Sequence, residues 1–350
     1  MALIEFSNVG IKAVAACVPK KVSSNYDLRS IMSDEDVNKM IKSVGIKEKR
    51  IAEPDVCASD FCYKAAEKLI ADNNIDRSSI DALIFLSQTP DYKIPATSPI
   101  LQHRLGLLKT TLCFDINLAC SGYVYALSTA YAYASLKGVN RVLLLVGETF
   151  SKITSPRDKV NAPLYGDAGT ATLIEKGEFV PSYFLLCSDG TGKDAVIVPA
   201  GGCRMPATDE NLKEINVEDG NIRSSNQIYM DGMDVFNFTM SVVPKSIKEL
   251  LQHTGNTLEN IENIIFHQAN KFMTDFFIKK LKYQSEKVPY CLDRYGNTSS
   301  ASIPLTISSE IKGNNLNGHK VILCGFGAGL SWGTALIEFH ECNVSPVIEY

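Results

Sequence analysis

The chemistry of this chain is most visible at Cys120, within residues 117–122. Cys120 stands between an apolar segment that ends at Asn117 and a run of small and apolar residues that extends towards Gly138. We expect the first to be a strand and the second to be a buried helix that begins at or just after Cys120. The positive end of a helix dipole favours a thiolate, so the sequence predicts a nucleophile with a lowered thiol pKa. A buried structural thiol is the alternative for any one of the ten cysteines.

A nucleophilic cysteine needs a partner, and His267 is the histidine best placed to supply one. It directly follows the apolar residues 264–266 and opens a polar turn, where a catalytic base is expected. Asn297 lies in a second polar turn, residues 294–302, ahead of a predicted core helix. The glycine-rich residues 325–333 let the backbone approach a ligand closely, but they lack the βαβ context of a dinucleotide fingerprint. Surface or structural roles are expected for the other histidines, which are His103, His253, His319 and His340.

Buried strands and helices alternate along the chain and would position these residues. Apolar runs predict strands at 9–18, 81–87, 141–147, 263–266 and 320–326. Helices are predicted at 25–43, 59–70, 98–105, 232–254 and 271–281. The same order in both halves predicts a duplicated α/β unit of stacked sheets and helix layers, divided into residues 1–177 and 178–350. The polar residues 189–227 are predicted to be a surface excursion.

Composition limits the functions that are open to the chain. Its 350 residues, with 45% apolar and 21% charged side chains, are typical of a soluble globular protein of two lobes. A net charge of −4 without a basic run argues against nucleic acid as a partner. Ten cysteines without a C-x-x-C pair indicate reduced thiols, neither a disulfide framework nor a zinc site. Because the sequence shows neither a signal-peptide pattern nor an apolar run of membrane-spanning length, we expect no membrane partner and a cytoplasmic location.

Six motifs in a fixed order resemble those of the β-ketoacyl-acyl carrier protein synthase III family of thiolase-fold condensing enzymes. They are residues 45–52, 119–122, 166–169, 267–270, 296–299 and 325–333, so the resemblance extends over almost the whole chain. It implies an α/β, thiolase-like fold whose duplicated halves form a layered α-β-α-β-α sandwich. It also implies acyl transfer to Cys120 followed by decarboxylative Claisen condensation with a malonyl thioester, with neither a metal nor a redox cofactor.

The resemblance implies a role for each residue at the reacting centre. Cys120 would attack an acyl thioester, and the backbone N–H groups of Cys120 and Ala328 would form the oxyanion hole. His267 and Asn297 would bind the thioester carbonyl of malonyl-acyl carrier protein and stabilise the enolate that remains when carbon dioxide departs. Asn270 would support His267 and the water network of the site.

Further contacts implied by the resemblance concern substrate binding and assembly. Lys159 matches a family arginine that binds the acyl donor. A homodimer would pair through the strand at 141–146, and Ile94 would then enter the acyl pocket of the neighbouring subunit. Because isoleucine is smaller than the phenylalanine of the family, we expect room for a medium or branched acyl group. Docking of the carrier protein is implied for three lysines, which are Lys271, Lys279 and Lys280.

Three positions at the rim depart from the family pattern, the first being Lys159, a point charge where the family has the planar fork of an arginine. Residues 36–41 contain no aromatic ring where the family has a tryptophan that stacks on coenzyme A, and Phe272 occupies the position of a docking arginine. The acyl donor is therefore left open between an acyl-coenzyme A and an acyl-carrier protein. Two other functions are also considered: an acyltransferase that moves the acyl group to an oxygen or nitrogen acceptor without decarboxylation, and a non-catalytic partner subunit. The presence of Cys120, His267 and Asn297 together disfavours the second.

Overall fold

The computed structural model describes residues 3–311 and 316–350, which contain eight α-helices and eighteen strands besides short 3-10 turns. The strands are β1 (Leu3–Phe6), β2 (Val9–Val18), β3 (Val22–Ser24), β4 (Glu48–Arg50), β5 (Ala82–Leu86), β6 (Leu112–Ile116), β7 (Arg141–Glu148), β8 (Ala168–Lys176), β9 (Ser182–Ser188), β10 (Val196–Ile197), β11 (Ile215–Asn216), β12 (Ile222–Arg223), β13 (Tyr229–Met230), β14 (Asn263–Phe266), β15 (His319–Gly327), β16 (Ser331–Phe339), β17 (Asn343–Val344) and β18 (Ile348–Glu349). The α-helices are α1 (Asp34–Val44), α2 (Ala58–Asp72), α3 (Thr97–Arg104), α4 (Gly122–Ser135), α5 (Gly232–Thr254), α6 (Lys271–Leu281), α7 (Leu292–Tyr295) and α8 (Ser302–Glu310).

The first large sheet has the strand order β17-β2-β8-β7-β5-β6, with β18 also paired to β2. β5 pairs in parallel with both β6 and β7, and β7 pairs antiparallel with β8. Every residue of β5 is buried, as is every residue of β7 after its first. Strands buried on both faces read as continuous apolar runs, which is why the sequence predicts them so clearly.

The prediction that the strand at 141–146 pairs two subunits is wrong. This strand is β7, and it has a hydrogen-bonded neighbour on each side within the chain. One free edge of the sheet is instead β6, whose residues are half-buried or exposed. An apolar run indicates burial on both faces and does not indicate a free edge.

The second large sheet has the order β1-β9-β16-β15-β14, and two helices separate it from the first. α4 contacts β5, β7 and β8 of the first sheet and β9, β15 and β16 of the second. α8 likewise contacts β2 and β8 on one side and β14 and β15 on the other. A helix between two sheets must be apolar or small on nearly every side, so the prediction of a buried helix after Cys120 is confirmed.

Outer helices complete the layers. α2 and α3 pack on the first sheet, and α5 and α6 pack on the second. The predicted layered α-β-α-β-α sandwich is therefore confirmed. The terminal strands cross between the halves, because β1 pairs with β9 while β17 and β18 pair with β2. The division at residue 177 falls between β8 and β9 and stays a prediction.

Two local features refine the sequence interpretation. The helix predicted at 25–43 is a 3-10 turn (Asn25–Ser30) followed by α1, which Ser33 caps by accepting the N–H of Asp36. The strands within the polar residues 189–227 are short. β11 and β12 pair with each other inside this range, whereas β10 pairs with β13, which lies just after it. Over the part of the chain that the structure describes, no helix has the length and apolar character needed to cross a membrane.

Candidate active site

Cys120 lies in the tight turn between β6 and α4, against the hairpin of β15 and β16. The hydroxyl oxygen of Ser121 is 2.7 Å from that of Ser331 across this contact. A Cβ atom at Gly327 would lie 2.8 Å from the Cβ and 3.1 Å from the Sγ of Cys120, and one at Gly325 would lie 2.9 Å from the Cα of Ser121. These glycines are therefore required for close packing against the nucleophile.

Burial dominates the ionisation of the Cys120 thiol. Burial raises its pKa to about 11, and the negative charge of Glu148 contributes to the increase. The Ser299 hydroxyl, 3.5 Å from the sulfur atom, lowers the pKa but does not cancel the effect of burial. The prediction of a lowered thiol pKa is wrong, because the sequence reveals the helix N-terminus and not the desolvation of the turn before it.

His267 follows β14 directly, and its imidazole ring is held by the first residue of α8. Its Nδ1 atom is 2.7 Å from the hydroxyl oxygen of Ser302, which also accepts the backbone N–H of Gln268 at 3.4 Å. The ring stands edge-on to Phe326, with 5.4 Å between the ring centroids. Burial lowers the pKa of His267 to about 3, with a smaller opposing effect from the Ser299 backbone. His267 is therefore neutral near pH 7, and Nε2 is the nitrogen not engaged by Ser302.

Asn297 is fixed by its backbone and by its own side chain. Its N–H donates to the Leu164 carbonyl at 2.8 Å, and its carbonyl accepts from Gly166 at 3.1 Å. Its Oδ1 atom accepts the N–H of Ser299 at 2.9 Å, and Ser299 has a left-handed backbone with a φ of 49°. Because Oδ1 is occupied within the turn, the Nδ2 amide is the group left to donate to a ligand.

One cavity of about 120 Å³ brings Cys120, His267 and Asn297 together. Asn270 and Ala328 also line it. The rest of its wall is mainly apolar and includes Leu164, Tyr165, Val196, Met230, Phe236 and Phe326. Asn270 additionally caps α6, because its side-chain oxygen accepts the Met273 N–H at 2.8 Å. A nucleophile and two neutral hydrogen-bond donors thus meet in a largely apolar cavity, which suits covalent catalysis with stabilisation of a developing negative charge.

A second cavity of about 440 Å³ adjoins the first and shares Val196 and Ala328 with it. Ala119, beside the nucleophile, is part of its lining. Its other walls combine apolar side chains with amides, among them Leu118, Phe150, Ile153, Gln88 and Asn117. The larger cavity thus reaches the residue that precedes Cys120.

The remaining predicted residues lie at the periphery. Ile94 is 89% exposed and is not part of the wall of either cavity described above. Lys159 is half-buried, and its backbone N–H donates to the side chain of Asn221. Lys271 is exposed and pairs with Asp275 on the same helix. Lys279 and Lys280 are exposed in the last turn of α6.

Sequence reasoning missed four residues around this site: Ser299, Ser302, Tyr165 and Glu148. The two serines lie within the polar turn that was noted for its asparagine, and nothing in their spacing distinguishes them. Glu148 does carry a signal, because a carboxyl group ends an otherwise apolar strand. A charged residue is rarely buried without partners, so a carboxyl group at this position predicts hydrogen-bond donors around it.

The layered sandwich with a cysteine, a histidine and an asparagine around one cavity defines a thiolase-fold protein. Residues 114–190 match the family described as 3-oxoacyl-[acyl-carrier-protein (ACP)] synthase III, and residues 251–339 match its C-terminal part. A putative 3-oxoacyl-[acyl-carrier-protein] synthase 3 of Campylobacter jejuni is 34% identical over 349 residues, which are 99% of this chain and 98% of that protein.

Two further relatives agree. Beta-ketoacyl-[acyl-carrier-protein] synthase III of Clostridium acetobutylicum is 35% identical over 96% of this chain and 100% of its own. The crystal structure of a 3-oxoacyl-(acyl-carrier protein) synthase from Burkholderia xenovorans has a TM-score of 0.93 and 37% identity, and covers 100% of this chain and 99% of that chain. The chain belongs to the 3-oxoacyl-[acyl-carrier-protein] synthase III family. It is accordingly an acyltransferase, as the motifs predict.

Proposed function

We propose that the chain condenses an acyl group held on Cys120 with a malonyl thioester and releases carbon dioxide. In the first step the Cys120 sulfur attacks the donor thioester carbonyl, and the backbone N–H groups of Cys120 and Ala328 stabilise the oxyanion. The carbon–sulfur bond to the donor thiol then breaks. The leaving thiol takes the proton that Cys120 loses, and an acyl-cysteine remains.

In the second step the malonyl carboxylate leaves as carbon dioxide, and its bonding electrons form an enolate on the thioester. His267 and Asn297 donate hydrogen bonds to the enolate oxygen. The carbanion attacks the acyl carbon, the bond from that carbon to the Cys120 sulfur breaks, and a 3-oxoacyl thioester is released. The bonding electrons stay on the sulfur, and the resulting thiolate takes a proton from solvent to restore the Cys120 thiol.

The orientation of the two donors supports this step. In Asn297 the turn occupies Oδ1, so Nδ2 is the free donor. In His267 the ring is neutral, and Ser302 engages Nδ1. In the proposed scheme the Ser302 hydroxyl, 2.7 Å from Nδ1, donates to that nitrogen, so that Nε2 carries the ring proton. Both donors line the cavity that contains Cys120.

The substrates and the assembly form part of the proposal. The larger cavity supports a medium or branched acyl group on Cys120. The exposed Lys279 and Lys280 support docking of an acidic carrier protein on α6. The acyl donor is either a coenzyme A thioester or a carrier-protein thioester. The proposed homodimer pairs along the free edge β6, with Ile94 entering the acyl pocket of the other subunit. We expect the protein to act in the cytoplasm.

The decisive experiment measures carbon dioxide release from malonyl-carrier protein, together with the intact mass of acylated Cys120. His267→Ala and Asn297→Ala should still form the acyl-cysteine, but should release carbon dioxide about 100- to 1,000-fold more slowly, the cost of losing one preorganised donor. His253→Ala, at an exposed position near the end of α5, is the matched control and should be unaffected. Release at the wild-type rate from either site variant would contradict the assigned roles. Acyl transfer without carbon dioxide release would favour the non-decarboxylating acyltransferase.

A further inference from the structure

Glu148, the last residue of β7, is completely buried and receives hydrogen bonds from two separate segments, residues 87–89 and Ser300. Its Oε1 atom accepts the hydroxyl of Ser300 at 2.7 Å. Its Oε2 atom accepts the hydroxyl of Thr89 at 3.1 Å and that of Ser87 at 3.3 Å. The backbone N–H of Gln88 lies 3.0 Å and 3.2 Å from the two oxygens. No ion pair involving this carboxyl group is found within residues 3–311 and 316–350, so these polar donors compensate for its burial.

On one side, Glu148 is connected to the turn that carries Asn297. Ser300 is adjacent to Ser299, whose N–H orients the Asn297 side chain and whose hydroxyl contacts the Cys120 sulfur. Ser299 has a left-handed backbone, which a residue with a side chain adopts at a cost. The hydrogen bond from Ser300 to Glu148 is thus one of the contacts that hold this unfavourable turn in place.

On the other side, Glu148 is connected to the loop that follows β5. Thr89 accepts the N–H of Thr149 at 2.9 Å while donating to Glu148, so the start of this loop is tied to the end of β7. The same loop carries the exposed Ile94. One carboxyl group therefore joins the end of β5, the end of β7 and the turn of Asn297.

The charge of Glu148 also affects the nucleophile. Burial raises the pKa of Glu148 to about 7, while its hydrogen bonds lower it, so the group is partly ionised near neutral pH. The negative charge raises the pKa of two buried thiols, Cys120 and Cys62. Removing the charge should therefore favour ionisation of Cys120.

We propose that Glu148 is a positioning residue for the condensation step: through Ser300 it holds the turn of Asn297 in the orientation that stabilises the enolate. The inference rests on the proposed function, since the enolate exists only if the malonyl thioester is decarboxylated. Glu148 touches no reacting atom in this scheme. It acts through the Ser300 hydroxyl and the adjoining Ser299.

A positioning role and a loss of fold differ in their effect on the acylation of Cys120, although both slow decarboxylation. Glu148→Ala removes the tie to the Asn297 turn, so decarboxylation should fall by about tenfold or more, the scale of losing a hydrogen bond to a charged group. Acylation of Cys120 at pH 7 should stay equal or become faster, because the charge that opposes the thiolate is gone. General structural damage would slow both.

The experiment compares Glu148→Ala, Glu148→Gln and Ser300→Ala for carbon dioxide release and for the rate of Cys120 acylation. Glu148→Gln keeps the shape, an acceptor for Gln88 and a group that can bond to Ser300, so it should retain more decarboxylation than Glu148→Ala. Ser300→Ala alone should slow decarboxylation by about tenfold. In the double variant with Glu148→Ala it should have little additional effect, because both substitutions remove the same hydrogen bond.

Ser246→Ala is the matched control, because Ser246 is equally buried and its hydroxyl lies 2.6 Å from that of Thr334, outside the lining of the two cavities. It should leave both half-reactions unchanged. If Glu148→Ala does not fold, the same two rates are measured on folded Ser300→Ala or Glu148→Gln protein. The inference is overturned if decarboxylation by folded Glu148→Ala and Ser300→Ala stays within about twofold of wild type, or if both half-reactions fall in parallel. A wild-type protein that releases no carbon dioxide contradicts the proposed function itself and removes the inference with it.

Discussion

Replacing Ser302 by alanine tests the orientation of His267 without removing the imidazole. The Ser302 hydroxyl is buried, and it lies 2.7 Å from Nδ1 of His267. In the variant the ring keeps its position after β14 and its edge-on contact with Phe326, but the hydroxyl that favours the proton on Nε2 is gone. An intramolecular hydrogen bond of this kind contributes about 1 kcal/mol, and up to about 1.5 kcal/mol.

That free energy sets the expected size of the effect. A preference of about 1.4 kcal/mol corresponds to a factor of about ten in population, so the decarboxylation rate of Ser302→Ala should fall up to about tenfold. His267→Ala should lose about 100- to 1,000-fold, because it removes the donor altogether. The acylation rate of Cys120 should change little in Ser302→Ala, because this step relies on the backbone N–H groups of the oxyanion hole.

The assay is carbon dioxide release from malonyl-carrier protein, with Ser308→Ala as the control. Ser308 lies on the same helix, α8, is also buried, and its hydroxyl has no hydrogen-bond partner in the described part of the chain. Its removal should leave the rate unchanged. If Ser302→Ala decarboxylates as fast as Ser308→Ala, then Ser302 does not set the proton position of His267. If it is as slow as His267→Ala, the ring has lost its place entirely and the estimate from one hydrogen bond is refuted.

Four further predictions follow from the site and the sheets. Because burial raises the pKa of the Cys120 thiol to about 11, its alkylation by iodoacetamide should accelerate about tenfold per pH unit from pH 7 to 9; a plateau near neutral pH would contradict this. Gly327→Ala should slow Cys120 acylation strongly, since the new Cβ would lie 2.8 Å from that of Cys120, whereas Gly202→Ala, with no atom within 4 Å of its added Cβ, should not. Leu112→Asp, on the exposed edge β6, should shift a homodimer towards monomer in light scattering, and an unchanged mass would argue against pairing along this edge. Competition between acetyl and octanoyl donors should favour octanoyl on wild-type Cys120 because of the larger cavity, with Ile94→Phe shifting the preference towards acetyl; a wild-type preference for acetyl would refute this.

Much of the framework was accessible from the sequence because it depends on continuous burial. β5 and β7 are buried on both faces and α4 is buried between the sheets, so their apolar runs predict them without any knowledge of their neighbours. The approximate places of Cys120, His267 and Asn297 follow as well, since each stands in a polar turn beside such an element. Their convergence in one cavity agrees with the resemblance that these motifs carry.

Quantities that depend on neighbours from distant parts of the chain required the tertiary structure. The thiol pKa of Cys120 is raised mainly by burial, which depends on packing from distant parts of the chain and cannot be read from the local helix terminus. β7 is an internal strand because β5 and β8 pair with it on either side, which depends on strand order and not on strand composition. The partners of Glu148 come from positions 60 residues before it and 152 residues after it along the chain. Sequence composition determined which segments are buried, whereas only the fold decided which buried groups meet, and their meeting sets protonation, orientation and reactivity.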